Sequence, residues 1–93
     1  MTLDTPVTDN VAAQRFELVE AGETAFADYM RQAGQLVIPH VEAPIALRGT
    51  GASSRLMEGV VARARAEGVK IVPLCSYADA WLRRHREHAD LIA

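Results

Sequence analysis

The residues best suited to chemistry fall in three short stretches: His40 and Glu42, then Arg48-Gly49-Thr50-Gly51-Ala52-Ser53 followed by Ser54, then Cys75. Glycines in the middle stretch let the backbone curl, so that several N–H groups point into one concavity at the start of a helix. Phosphate oxygens bind such a site through those donors and the positive end of the helix dipole. The loop has no Gly-Lys-Ser/Thr ending, which excludes a nucleoside-triphosphate loop. It also has no third glycine with a downstream ribose-binding acid, which excludes a dinucleotide fold. Two glycines by themselves read as an ordinary turn. Cys75 reads either as a small core residue after a buried strand or as a thiol at a helix start, where the dipole favours the thiolate. His40 and Glu42 are candidates for the base that takes a proton from an attacking group, histidine because it titrates near neutral pH. Each has a plain alternative: a histidine bracing the loop and a solvated carboxylate. His85 and His88 lie three apart, yet no further ligands are spaced to complete a metal site, so no metal is expected.

These residues are positioned by elements legible in the periodicity. Residues 1–14 read as a flexible N-terminal arm and residues 15–93 as a single domain. Phe16 and Leu18 alternate with polar neighbours up to Ala21-Gly22. A second run, Glu23 to Arg31, puts Ala25, Ala27 and Tyr29 on one face and Thr24, Phe26, Asp28 and Met30 on the other. Gln32-Ala33-Gly34 is a turn signal, and Gln35 to Val41 is a third strand rich in β-favouring residues. The three form an antiparallel meander. Pro39 cannot donate a ladder hydrogen bond, and the simplest reading is that the third strand stops there. After Gly51 the period changes to that of a helix, capped by Ser53 or Ser54, with Leu56, Met57, Val60, Val61 and Ala64 on its buried stripe and Gly68 ending it. Val69 to Val72 is a short buried strand, parallel to the third strand through a βαβ crossover. A last helix starts near Ser76, with Asp79 completing a variant capping box, and carries Arg83, Arg84, His85 and Arg86 at its end. The fold class is α/β, or α+β in some schemes: a mixed sheet with one crossover and a C-terminal helix.

Composition narrows the function classes. The chain has 93 residues, nearly half of them apolar, and a net charge of −2, so it can bury one core and is not disordered. No apolar run approaches the ~20 residues of a membrane span, and no secretory signal opens the sequence. A lone cysteine fits a reducing cytoplasm, the expected location. The pI near 5.9 argues against nucleic-acid binding. No membrane partner is expected, and a monomer is compatible with the pattern.

The loop Arg48-Gly49-Thr50-Gly51-Ala52-Ser53 resembles the Arg/Gln-x-x-Gly-x-Gly/Ala signature of the GCN5-related N-acetyltransferases. Its flanks, His40-Val41-Glu42-Ala43-Pro44, Val72-Pro73-Leu74-Cys75-Ser76-Tyr77 and Arg84-His85, look like the minimal YjdJ-like subgroup. Ser53 stands where the signature has glycine or alanine. Val41 and Ala43 replace a threonine and a valine, and Arg86 replaces a proline. The resemblance implies a trimmed acetyltransferase-like fold and acetyl-coenzyme A as cosubstrate, its pyrophosphate held by Arg48 to Ser54. It further implies transfer of the acetyl group to an amine acceptor, with His40 or Glu42 as base and Cys75 either carrying the acetyl group or lining the thioester. The alternative function is a coenzyme A-binding module without catalysis.

Overall fold

The computed structural model describes residues 6–93. Five strands form one mixed sheet in the order β1 (Thr8–Asn10), β2 (Arg15–Glu20), β3 (Glu23–Gln32), β4 (Gln35–Glu42) and β5 (Lys70–Pro73). The first four are antiparallel neighbours, and β5 runs parallel to β4. Between β4 and β5 the chain makes a short 3-10 turn at Ile45–Leu47 and the long helix α1 (Ala52–Glu67); after β5 come α2 (Ser76–Arg84) and a 3-10 segment at Arg86–Leu91.

Alternation decides which way the sheet faces. Phe16, Leu18, Ala25, Ala27, Tyr29, Leu36 and Ile38 are buried on the inner face. They form one core with Leu56, Met57, Val60, Val61 and Ala64 of α1 and with Ala78, Trp81 and Leu82 of α2. Thr24, Phe26 and Met30 turn outward as their period requires, and Val19 and Met30 on that outer face stay exposed.

Four expectations need correction. Part of the presumed flexible arm is a strand: Thr8 to Asn10 pair with Glu17 to Arg15, and Tyr29 Oη donates to Asp9 Oδ1 at 2.6 Å. That anchor lies twenty positions away in sequence, beyond the reach of local pattern; the first five residues of the arm lie outside the described residues. The third strand does not stop at Pro39 but runs on to Glu42. Its register against β3 shifts there, from Met30 opposite Val37 to Asp28 opposite His40. A bulge takes up the missing N–H. Neither serine caps α1: Gly51 occupies the N-cap in a left-handed conformation without a side-chain cap bond. Thr50 supplies the cap instead, its Oγ1 accepting the Ala52 N–H at 3.3 Å while its hydroxyl donates to the Leu47 carbonyl. The Ser76–Asp79 capping box is likewise unformed, because Cys75 is the N-cap and Asp79 pairs with Arg83.

Candidate active site

The site starts from backbone conformation. Gly49 (φ +79°) and Gly51 (φ +88°) are both left-handed, a region that disfavours side chains with a Cβ. They swing the chain from the 3-10 turn into α1. The first N–H groups of any α-helix lack intrahelical partners. Here Thr50 takes that of Ala52, which leaves those of Ser53 and Ser54 available at the positive end of the helix. A concavity of about 270 Å³ opens at this point, lined by Leu47, Arg48, Gly49, Gly51, Ala52, Ser53, Ser54 and Tyr77. Six of the seven loop residues singled out from sequence therefore line one cavity; the seventh, Thr50, braces it. Arg48 folds its Nε toward the Ala43 carbonyl at 3.4 Å.

Leu47 and Tyr77 are the lining residues that sequence reasoning missed. Burial raises the Tyr77 phenol above the ordinary tyrosine value, with Arg84 opposing and Cys75 reinforcing the shift, so near neutral pH it lines the cavity as a neutral O–H. For Tyr77 the available signal was an aromatic in the first turn of a helix that follows directly on a strand of the βαβ unit. Behind the loop, Trp81 Nε1 donates to Ser54 Oγ at 2.9 Å, tying α2 to the lining.

The second half of the site is the end of the parallel pair. The Ile38 carbonyl accepts from both Leu74 and Cys75 N–H groups at 3.0 Å, and the β4–β5 pairing ends with Ile38 opposite Pro73. Beyond Ile38, β4 continues without a strand on that side. Backbone groups alternate along a strand, so His40 to Glu42 present at least one N–H to the opening. Cys75 sits beside this divergence, half-buried and free. His40 and Glu42 are exposed on the outer face, their side chains 3.3 Å apart, and His40 lies 6.1 Å from the Phe26 ring. The structure thus gathers the loop residues at one end of α1, places Cys75 at the strand opening, and pairs His40 with Glu42 on the open face.

His85 and His88 do not share a helix, since α2 ends at Arg84. Both rings stack against Trp81, at 3.8 and 5.9 Å. His85 Nδ1 meets the Trp81 carbonyl at 2.7 Å, and His88 lies between Arg65 and Glu58. Among the described residues no three His, Cys, Asp or Glu side chains converge as metal ligands, and no helix is long and apolar enough to cross a membrane.

A mixed sheet whose parallel pair opens at a bulge, with a glycine loop leading into the connecting helix, defines the N-acetyltransferase class of fold. The chain belongs to the GCN5-related N-acetyltransferase family, whose sequence profile matches residues 15–91. Its fold is similar to the solution structure of a GCN5-like protein from Staphylococcus aureus, with a TM-score of 0.68 and 21% identity over 98% of this chain and 91% of that one. A search of curated proteins gave no significant match.

Proposed function

We propose that the protein transfers an acetyl group from acetyl-coenzyme A to an amine. The observation that carries this reading is the pair of left-handed glycines, Gly49 and Gly51, opening α1 onto a concavity; family membership gives it its chemistry. The residues present fit the coenzyme: Ser53 and Ser54, whose helix N–H groups have no partner among the described residues, line the cavity beside glycines and apolar side chains, and no carboxylate is among the lining residues. Arg48 to Ser54 hold the phosphates. Acetyl-coenzyme A, when bound, supplies an activated acyl group as a thioester.

The chain's own residues do the rest. The open edge of β4 past Ile38 offers a backbone N–H to the carbonyl oxygen that gains charge during transfer. The acceptor approaches from the outer face, where His40, held by Glu42, removes the proton the amine sheds. The amine nitrogen bonds to the acetyl carbon, the carbon–sulfur bond breaks, and the departing thiolate takes up the proton that the amine gave to His40. Holding the two reactants together supplies much of the rate, so Cys75 lines the thioester and carries no acetyl group.

Intact-mass measurement after mixing with acetyl-coenzyme A and a panel of amines tests this reading. Acetylated amine should accumulate, and Cys75→Ala should keep substantial turnover. An acetyl adduct on the protein that hydroxylamine removes, lost together with turnover in Cys75→Ala, would replace direct transfer with a covalent relay. Coenzyme binding without turnover on any amine would leave a binding module in place of an enzyme.

A further inference from the structure

Resting on the acetyl-transfer reading above, we propose that the acceptor carries a second positive charge besides the amine that reacts, and that Asp28 binds it. Asp28 lies on β3 between buried Ala27 and Tyr29, so alternation turns it to the outer face with Phe26. There it stands in register between two basic neighbours, Arg15 on β2 and His40 on β4. An aspartate directly opposite an arginine makes a favourable cross-strand pair, yet this pair does not form. Arg15 donates its Nε to Glu17 Oε2 at 2.6 Å and lays its guanidinium over the Phe26 ring at 4.5 Å. His40 turns the same way, to Glu42 Oε1 at 3.3 Å; Glu17 and Glu42 both stand opposite Phe26.

Glu17, Asp28 and Glu42 share this face but are not equivalent. Arg15 and Asn10 hold Glu17, and His40 holds Glu42. The Asp28 side chain, partly buried, has no hydrogen bond or ion pair among the described residues, although two basic side chains flank it. A carboxylate in contact with the reacting amine would hold it as an ammonium, which cannot attack a thioester. Asp28 therefore suits a different nitrogen. Adjacent strands lie about 5 Å apart, which puts Asp28 one strand back from His40, where the reacting nitrogen sheds its proton. A short aliphatic chain spans that step, and exposed Met30, two residues along β3, offers the chain apolar surface. A small amine bearing a second cation and a lysine beside another basic residue share this chemistry.

The test is steady-state transfer from acetyl-coenzyme A by the full chain to matched acceptors. One pair is butylamine against aminobutylguanidine, whose second charge cannot itself be acetylated; the other is a lysine peptide without and with a neighbouring arginine. The dication should show a KM about tenfold below that of its monocation, at similar kcat. Asp28→Asn should erase that advantage while leaving the constants for the monocation and for acetyl-coenzyme A where they were, and Asp28→Glu should restore part of it. An advantage confined to one pair supports the proposal and identifies the source of the acceptor, small molecule or peptide. A dication no better than its monocation, or an advantage that survives Asp28→Asn, would overturn the proposal. Equal losses for both members of a pair would overturn it too, reducing Asp28 to a support for His40. Should Asp28→Asn fail to fold, Asp28→Ser takes its place with the same expectations. Failure of the unaltered protein to acetylate any amine would refute the transfer reading and this proposal with it, whereas turnover without the dication preference removes this proposal alone.

Discussion

The two ends of the candidate site are built from different materials. The loop end, Leu47 to Ser54, is shaped by backbone: two positive φ angles, a threonine brace and a buried tryptophan behind Ser54. The acceptor end is shaped by exposed side chains, with His40 and Glu42 each about half accessible and held mainly by one another. A backbone-built end tolerates changes of side chain, and under the proposed function Ser53 can stand where the family signature has glycine or alanine because its N–H remains free. A side-chain-built end changes its chemistry with every substitution.

The contrast can be broken most sharply at Gly51. Gly51→Leu places a Cβ at φ +88° and within 3.0 Å of Arg55 Nη1. It should cost about 1–2 kcal/mol of stability, leave a folded domain, and abolish coenzyme A binding by calorimetry. Unchanged affinity in a folded variant would show that the loop does not hold phosphate. A smaller, purely kinetic effect is expected at the other end. His40→Gln should leave coenzyme affinity unchanged and lower the turnover rate about a hundredfold. A variant with full rate would make His40 a brace. The smallest effect concerns neither end but the supports around them. Arg15 and Asn10 bond Glu17, and Arg55 bonds Glu20, which lowers both carboxyls below 4.5. Groups so depressed stabilise the fold above their unfolded value and lose that contribution as pH falls through the folded one. Melting temperature followed by circular dichroism should therefore stay level down to about pH 4.5 and decline gently below it, because the pairs are exposed. Arg55→Gln should reduce the Glu20 share of that decline.

The same division explains what could be read from the sequence. Strands β2 to β4, the α1 stripe and the Gly68 terminus follow from periodicity and turn chemistry, and they appear where those local rules place them. The glycine loop was legible for the same reason, since left-handed glycines before a helix are a local signal. What escaped depends on contacts between distant segments. Three-residue β1 is held by the Tyr29–Asp9 bond and by Val7 in the core, and Tyr77 reaches the cavity only because α2 packs beside α1. Read locally, Pro39 suggested a strand end. Only the partner strand, with Met30 opposite Val37 and Asp28 opposite His40, shows the bulge. The serines at 53 and 54 look like caps in isolation, yet Thr50 takes that role and Ser54 accepts from Trp81 instead.

That last bond also gives the molecule an optical property. Trp81 is the chain's only tryptophan, fully enclosed in the core, with its indole N–H on Ser54 and two imidazoles stacked on its rings. Emission excited at the red edge of the absorption band therefore comes from a single chromophore, one hydrogen bond away from the loop. A change at Ser54 is felt directly by the indole it bonds. The unlabelled protein thus carries a lamp beside its glycine loop, and the light from it reports on that loop without a dye, an added tag or a second fluorophore to subtract.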